Sequence, residues 1–116
     1  MTNKEKRQYH KMVKKYRKQL TEIAKNWDPW DYADVFAFLT TCLKGMQEYY
    51  DNDINVWSYE KQNDVSRLER CNRLLQLYQE WHDYNWTLEE YDFAEEERKL
   101  IDFFITLAKD LPELWD

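Results

Sequence analysis

Histidine and cysteine are the residue types in this 116-residue chain that could bind a transition metal or act as nucleophiles. They are His10, His82, Cys42 and Cys71. No HExxH, ExxH or CxxC spacing occurs, so neither a zinc nor a di-iron site is predicted. Both cysteines lie within apolar helical patterns, which favours buried, reduced thiols. A Cys–His nucleophilic pair would require the fold to bring distant residues together, and no local pattern indicates one.

The segment DNDINVWSYEKQ, residues 51–62, begins like a calcium-binding loop. Asp51, Asp53 and Asn55 occupy its first, third and fifth positions, where oxygen ligands are needed. The sixth position holds valine instead of the glycine that makes the sharp turn, and the twelfth holds glutamine instead of a bidentate glutamate. We therefore predict an Asp/Asn-rich connecting loop. The sequence predicts no metal, no cofactor and no catalytic residue, and we expect a protein that acts by binding.

The elements that position these residues are predicted to be helices. One glycine and two prolines in the whole chain favour long helices with short connections, and exclude a glycine-rich phosphate loop. Apolar residues recur with helical spacing in four segments: from about residue 4 to 27, from 28 to 50, from 59 or 63 to 82, and from 87 to 111. We predict an all-α, single-domain bundle of about four helices, comprising a basic N-terminal helix (1–26) and an acidic three-helix body (27–116).

Two of the predicted helices begin with the same pattern, W-[D/T]-x-x-[D/E]-Y, at residues 27–32 and 86–91. Asp28 and Thr87 are placed to cap these helices, and Pro29 suits a first helical position. The tryptophan and tyrosine of each motif are spaced as a hydrophobic staple. Both motifs are therefore interpreted as helix starts. A final ELWD segment is expected to dock on the core.

Charge is distributed unevenly along the chain, whose formal net charge is −6. Residues 1–25 carry nine basic and two acidic side chains, whereas the rest of the chain has a net charge of −13. In the first helix a row of basic residues lies about 180° from the apolar stripe. We define the basic ridge as Lys4, Arg7, Lys11, Lys14 and Lys18. Such a row is typical of a nucleic-acid backbone contact, of a contact with an acidic protein surface, or of a solvated helix face.

A second candidate surface combines carboxylates with aromatic side chains. The segment LEEYDFAEEE, residues 88–97, holds six carboxylates: Glu89, Glu90, Asp92, Glu95, Glu96 and Glu97. The helix dipole accounts for acids in a first turn, but the last three lie beyond the predicted first turn. If the two stapled helix starts share an end, Asp28, Asp31 and Asp34 extend the patch, and it would fit a Lys/Arg-lined groove that normally holds DNA or RNA. The expected interface anchors are Trp57, Tyr59 and Tyr84.

From Trp27 to Trp115 the chain resembles small phage-encoded helical proteins of unknown function. The resemblance lies in the PWDY helix start, the segment LKGMQEYY, an arginine-bearing third helix and the ending LWD. Such small acidic proteins include anti-CRISPR and other anti-defence inhibitors. The resemblance implies a non-enzymatic inhibitor whose partner is a host protein or ribonucleoprotein complex, such as a Cas nuclease, in the host cytoplasm.

Two alternatives stay open at this point. One is a nucleic-acid-binding accessory protein that uses the basic ridge. The other is a phage structural or assembly protein whose basic helix docks on the acidic body of a neighbour, so that either a monomer or a small homo-oligomer is expected. No membrane association is predicted, because no apolar run approaches the ~20 residues of a membrane span.

Overall fold

The fold was derived from a computed structural model that describes residues 2–52 and 62–114, with only the backbone for residues 62–64. Within these ranges it is all-α, as predicted, and contains no strand. Four helices pack in sequence order into a single bundle, and a short 3₁₀ turn follows the last. The elements are α1 (Asn3–Lys25), α2 (Ala33–Asp51), α3 (Gln62–Asp83), α4 (Phe93–Asp110) and the 3₁₀ turn (Leu111–Glu113). None of the helices described is long and apolar enough to cross a membrane.

The core lies between α2, α3 and α4. Its fully buried side chains are Leu43, Cys71, Leu74 and Phe103. Phe36 of α2 joins the three helices, because its ring centroid lies 4.9 Å from that of Trp81 on α3 and 6.3 Å from that of Phe103 on α4. Apolar periodicity of 3.6 residues is therefore satisfied by burial on all three helices.

Helix α1 packs against α2 through one close approach and one polar cluster. Gly45 permits the approach, since a Cβ atom there would lie 3.3 Å from Cγ of Tyr16. Beside it, Lys15 Nζ and the Tyr16 hydroxyl each donate a hydrogen bond of 2.6 Å to Glu48 Oε2. These two bonds, that from Lys15 foremost, hold the pKa of Glu48 below its usual value. Tyr9 adds an edge contact with Tyr49, 6.1 Å between ring centroids.

An ion-pair cluster joins the C-terminal end of α4 to α3. Arg73 donates two hydrogen bonds to Oδ2 of buried Asp110, from Nε at 3.0 Å and from Nη2 at 2.5 Å. Arg70 Nε lies 3.6 Å from the other carboxylate oxygen. Leu114, after the 3₁₀ turn, is buried against the same core, as expected for the ELWD segment, whereas Trp115 lies outside the described residues.

The predicted start of α2 at Asp28 and Pro29 is wrong. The helix begins at Ala33, because short aspartate side chains hold residues 28–32 in turns. Asp31 Oδ1 accepts a hydrogen bond from the Ala33 N–H at 2.9 Å, and Asp34 Oδ2 accepts one from the Asp28 N–H at 2.9 Å. Trp27 and Tyr32 are both more than half exposed, so they form no staple.

The predicted start of α4 at Thr87 is also wrong. Asp92 is the N-cap, and its Oδ1 accepts a hydrogen bond from the Ala94 N–H at 3.0 Å. Aspartate caps a helix better than threonine, which favours this later start. Trp86 is exposed, so it does not form the predicted hydrophobic staple with Tyr91. As a consequence, Glu95 and Glu96 lie in the first turn of α4 and not beyond it, so the helix dipole does account for them.

Candidate binding surface at one end of the bundle

The starts of α2 and α4 lie at the same end of the bundle, as the acidic-patch hypothesis requires. Helices α2 and α4 run in the same direction on either side of the end of α3. They enclose an open groove of about 470 Å³ with Glu96 and Glu97 at its rim. The remaining lining residues are Tyr32, Phe36, Trp81, Phe93, Leu100 and Phe104. We call residues 28–34 and 86–97, which contribute Tyr32, Phe93, Glu96 and Glu97 to this groove, the acidic-aromatic end.

Large aromatic side chains at the acidic-aromatic end are unusually exposed. Trp30 is 79% exposed, Trp86 76%, Phe93 70% and Tyr32 67%. A protein that functions alone rarely leaves so many aromatic side chains in water at one place, because their burial is strongly favourable. Exposed tryptophan and tyrosine are the typical anchors of protein interfaces.

The six carboxylates of residues 89–97 divide into three groups. Within the described part of the chain, Glu89, Glu90 and Glu97 make no ion pair, so their charges are available to a partner. Glu95 is paired with Arg98, with Oε1 and Nη2 2.5 Å apart, and the hydrogen bond from Arg98 lowers the pKa of Glu95.

The other two carboxylates stabilise the start of α4. Asp92 caps the helix. Glu96 accepts a hydrogen bond from the Tyr91 hydroxyl, which raises the pKa of Tyr91 to about 12. Only part of the acidic segment therefore forms an available anionic surface.

Of the three predicted aromatic anchors, one lies within the described residues. Tyr84 is half-buried: its hydroxyl accepts a hydrogen bond from the Asp92 N–H at 2.8 Å, and Lys99 Nζ lies 5.6 Å from its ring centroid. It therefore positions the start of α4. Trp57 and Tyr59 lie outside the described residues.

The exposed aromatics Trp30, Tyr32, Trp86 and Phe93 were not identified as anchors from the sequence. The sequence pattern assigns Trp86 and Tyr32 to staples, and it gives Phe93 only as one of the apolar residues interleaved with the acidic segment. The sequence does contain a signal of their exposure, because each of them is flanked by aspartate, glutamate, asparagine or threonine residues in DPWDY, YNWT and YDF.

The basic ridge of α1 is fully on the surface. All five of its side chains are exposed, and none makes an ion pair within the described residues. Lys15, which does pair with Glu48, is not part of it. From Lys4 to Lys18 the ridge is about 21 Å long at 1.5 Å per residue. It is thus a second surface with free charge, of opposite sign to the first.

The cysteines are held in protonated form by their surroundings. Cys71 is completely buried, and burial raises the pKa of its thiol to about 11. Burial also raises the pKa of half-buried Cys42. Neither thiol is therefore an activated nucleophile. Among the residues described, no three His, Cys, Asp or Glu side chains are grouped so that they could hold a metal ion.

Comparison with known proteins adds no relative. No protein-family model, curated protein or solved structure matches this chain. The resemblance of residues 27–115 to phage-encoded helical proteins stays a prediction, and so does the expectation that the protein is not an enzyme.

Proposed function

We propose that the protein is a non-enzymatic inhibitor whose acidic-aromatic end binds a basic, nucleic-acid-binding surface of another protein. The observation that supports this function is the exposure of Trp30, Tyr32, Trp86 and Phe93 in the same two segments as Glu89, Glu90 and Glu97, which make no ion pair with any residue that the structure describes. By resemblance, the partner is a host defence complex such as a Cas nuclease.

A nucleic-acid-binding groove would complement both the carboxylates and the aromatic rings of this surface. Such grooves place lysine and arginine along the phosphates and flat apolar side chains against the bases. Carboxylates would pair with those cations, and exposed aromatic rings would occupy the stacking positions. Complementary charge would also accelerate association and select against acidic partners. The aromatic side chains supply most of the affinity, because buried rings are the usual interface hot spots.

The proposal is tested by reversing charge where no folding contact is lost. Glu89 and Glu90 lie in the turn before α4 and make no ion pair in the described part of the chain, so both can be changed to lysine. The matched control changes Glu69 and Glu113, two exposed carboxylates toward the opposite end, to lysine. Each double variant changes the formal net charge from −6 to −2, so only the position of the charge differs.

The assay is DNA cleavage by a panel of purified, guide-loaded Cas nucleases with increasing inhibitor. Wild type and the Glu69/Glu113 variant should inhibit alike. The Glu89/Glu90 variant should require at least about tenfold more protein, a loss of ~1.4 kcal/mol of binding free energy. Equal inhibition by both double variants would exclude the acidic-aromatic end, and no inhibition of any nuclease would refute this class of partner.

A second candidate function is supported by the basic ridge, whose five cations are exposed and make no ion pair with the residues that the structure describes. Contact with a nucleic-acid backbone would give binding that weakens as salt rises. Changing Lys11, Lys14 and Lys18 to glutamate should then reduce the slope of log K against log salt by at least about 2.7, since each lost phosphate contact contributes ~0.9. Absence of a gel shift with duplex DNA at low salt would exclude this function.

A further inference from the structure

The groove between α2 and α4 is surrounded by aromatic rings. Buried Phe36 and half-buried Trp81 form its floor, with 4.9 Å between their ring centroids. The rings of Tyr32, Phe93 and Phe104 also line it, and each of them is at least 47% exposed. A volume of about 470 Å³ lies within the ~300–1,000 Å³ of pockets that enclose a small organic ligand. The groove is therefore large enough for one long side chain of another molecule.

Carboxylates give this groove a negative charge. Glu96 and Glu97 line it together with the rings, and neither pairs with a cation among the described residues. The hydrogen bond that Glu96 accepts comes from the neutral hydroxyl of Tyr91, so it leaves the charge uncompensated. Residues 28–34 hold three carboxylates, residues 86–97 hold six, and neither segment contains lysine or arginine. The groove therefore attracts a cation and repels an anion.

The basic residues of α4 closest in sequence do not neutralise the groove. Arg98 donates hydrogen bonds to Glu95 at 3.0 Å and to Asp102 at 2.7 Å, and Lys99 Nζ lies 3.7 Å from Glu95 Oε1. Neither Arg98 nor Lys99 lines the groove. Asp92, the N-cap, offsets the partial positive charge at the N-terminus of α4. The negative charge of the groove is thus available to a cation from outside.

The contact between α1 and α2 shows how the same groups bind a cation within the chain. Lys15 Nζ lies 4.7 Å from the ring centroid of Tyr16 and 2.6 Å from Glu48 Oε2. An aromatic ring and a carboxylate together hold this ammonium group. The groove between α2 and α4 presents more rings and two carboxylates, yet no lysine or arginine of the described chain lines it.

We propose that the groove between α2 and α4 binds one arginine side chain of the partner protein. A planar guanidinium group stacks on aromatic rings and is less strongly hydrated than the ammonium group of lysine. It would lie against the rings of Tyr32 and Phe93 and pair with Glu97, while the aliphatic stem covers the apolar remainder of the groove. The inference rests on the proposed function for the protein that supplies the arginine.

Peptide titrations test the groove without any nuclease. The probe is the N-acetylated, C-amidated peptide GGRGG, and heteronuclear NMR of the labelled protein follows the backbone signals of Phe93, Glu97 and Leu100. We expect saturable shifts at these residues with a Kd of about 1–10 mM, as suits a single side chain. The same peptide with citrulline, a neutral analogue of arginine, should give no saturable shift. The lysine peptide should bind at least about threefold more weakly.

Two variants separate the ring from the carboxylate. Phe93→Leu keeps an apolar side chain but removes the ring, and it should weaken binding of the arginine peptide about threefold. Glu97→Gln should weaken it about threefold at low salt and less at high salt. The matched control is Glu89→Gln, which removes one carboxylate from the same acidic-aromatic end but not from the groove. This control should bind the peptide like wild type, and circular dichroism verifies the fold of each variant.

The absence of a saturable shift with the arginine peptide would overturn the proposal. Equal binding of the citrulline or the lysine peptide, or equal weakening by Glu97→Gln and Glu89→Gln, would overturn it as well. Because no nuclease takes part, the two proposals fail separately. Arginine binding by a protein that inhibits no nuclease would refute the proposed function alone. Inhibition that is lost in the Glu89/Glu90 variant, without any peptide binding by wild type, would refute the arginine site alone.

Discussion

Replacing Asp110 by alanine tests the contact between α3 and α4 most sharply. Asp110 is the last residue of α4 and is only 8% exposed. Its carboxylate accepts two hydrogen bonds from Arg73 and lies 3.6 Å from Arg70. Within the described residues, the Nε atom of Arg70 is buried and makes no hydrogen bond, so the carboxylate is its nearest compensating charge.

The expected loss of stability depends on how well water can solvate each arginine once the carboxylate is removed. Removing one partner of a fully buried ion pair costs about 3–5 kcal/mol, and an exposed pair contributes about 1 kcal/mol or less. Arg73 is 54% exposed and can be solvated again, whereas Arg70 is 30% exposed and loses its anion. We therefore expect Asp110→Ala to lower the free energy of unfolding by about 2–3 kcal/mol. Asp110→Asn keeps one acceptor oxygen for Arg73 and should lose less.

Urea unfolding followed by circular dichroism measures this change. Glu113→Ala, in the 3₁₀ turn that follows α4, removes an exposed carboxylate that pairs with no cation among the described residues, and it should change stability by less than ~0.5 kcal/mol. A double-mutant cycle with Arg73→Ala should give a coupling of at least about 1 kcal/mol between the two side chains. If Asp110→Ala cost no more than Glu113→Ala, the buried ion-pair cluster would not stabilise the packing of α4.

Three further predictions concern the packing of α1 and the start of α4. Gly45→Ala should change the free energy of unfolding by less than ~1 kcal/mol, because the gain in helix propensity offsets a small shift of the Tyr16 ring; Gly45→Val should cost about 2 kcal/mol in urea titrations. Hydrogen bonds from Lys15 and Tyr16 lower the pKa of Glu48, so this group stabilises the fold above its unfolded pKa near 4.5 and the contribution is lost as pH falls. Glu48→Gln should therefore flatten the acid side of the stability profile, and an unchanged profile would contradict the assignment. The pKa of Tyr91 is raised to about 12, so its hydrogen bond to Glu96 stabilises the fold below pH 10 and is lost as pH rises toward 12. The difference in phenolate absorbance between wild type and Tyr91→Phe should show one tyrosine that ionises in that range.

Sequence periodicity was sufficient to predict the helices but not the residues at which α2 and α4 begin. The apolar spacing of each helix is averaged over several turns, so a single competing contact does not change the prediction. A helix start depends on one or two side chains. Asp31 and Asp34 bind backbone N–H groups before α2, and Asp92 is a better cap than Thr87, so both starts moved toward the C-terminus.

The candidate site was predictable in its charge but not in its aromatic content. Glu89 and Glu90 are exposed, but they lie in the turn before α4 and not in its first turn, where the sequence pattern places them. The exposure of Trp30 and Trp86 depends on whether a neighbouring helix packs over them. Local sequence patterns do not specify that packing. The pairing of Glu95 with Arg98 depends on side-chain geometry along α4, and it removes one charge that the sequence counted as available.

Competition between this protein and DNA for one nuclease tests the central claim most directly. Labelled DNA is bound to a guide-loaded Cas nuclease that the protein inhibits, and its fluorescence anisotropy is followed as the protein is added. If the acidic-aromatic end occupies the DNA-binding groove, the DNA should be released, and higher DNA concentrations should require proportionally more protein. Replacing Trp30 and Trp86 by alanine should weaken this displacement by at least about thirtyfold if they are hot-spot anchors. A ternary complex that holds both DNA and the protein would contradict the claim.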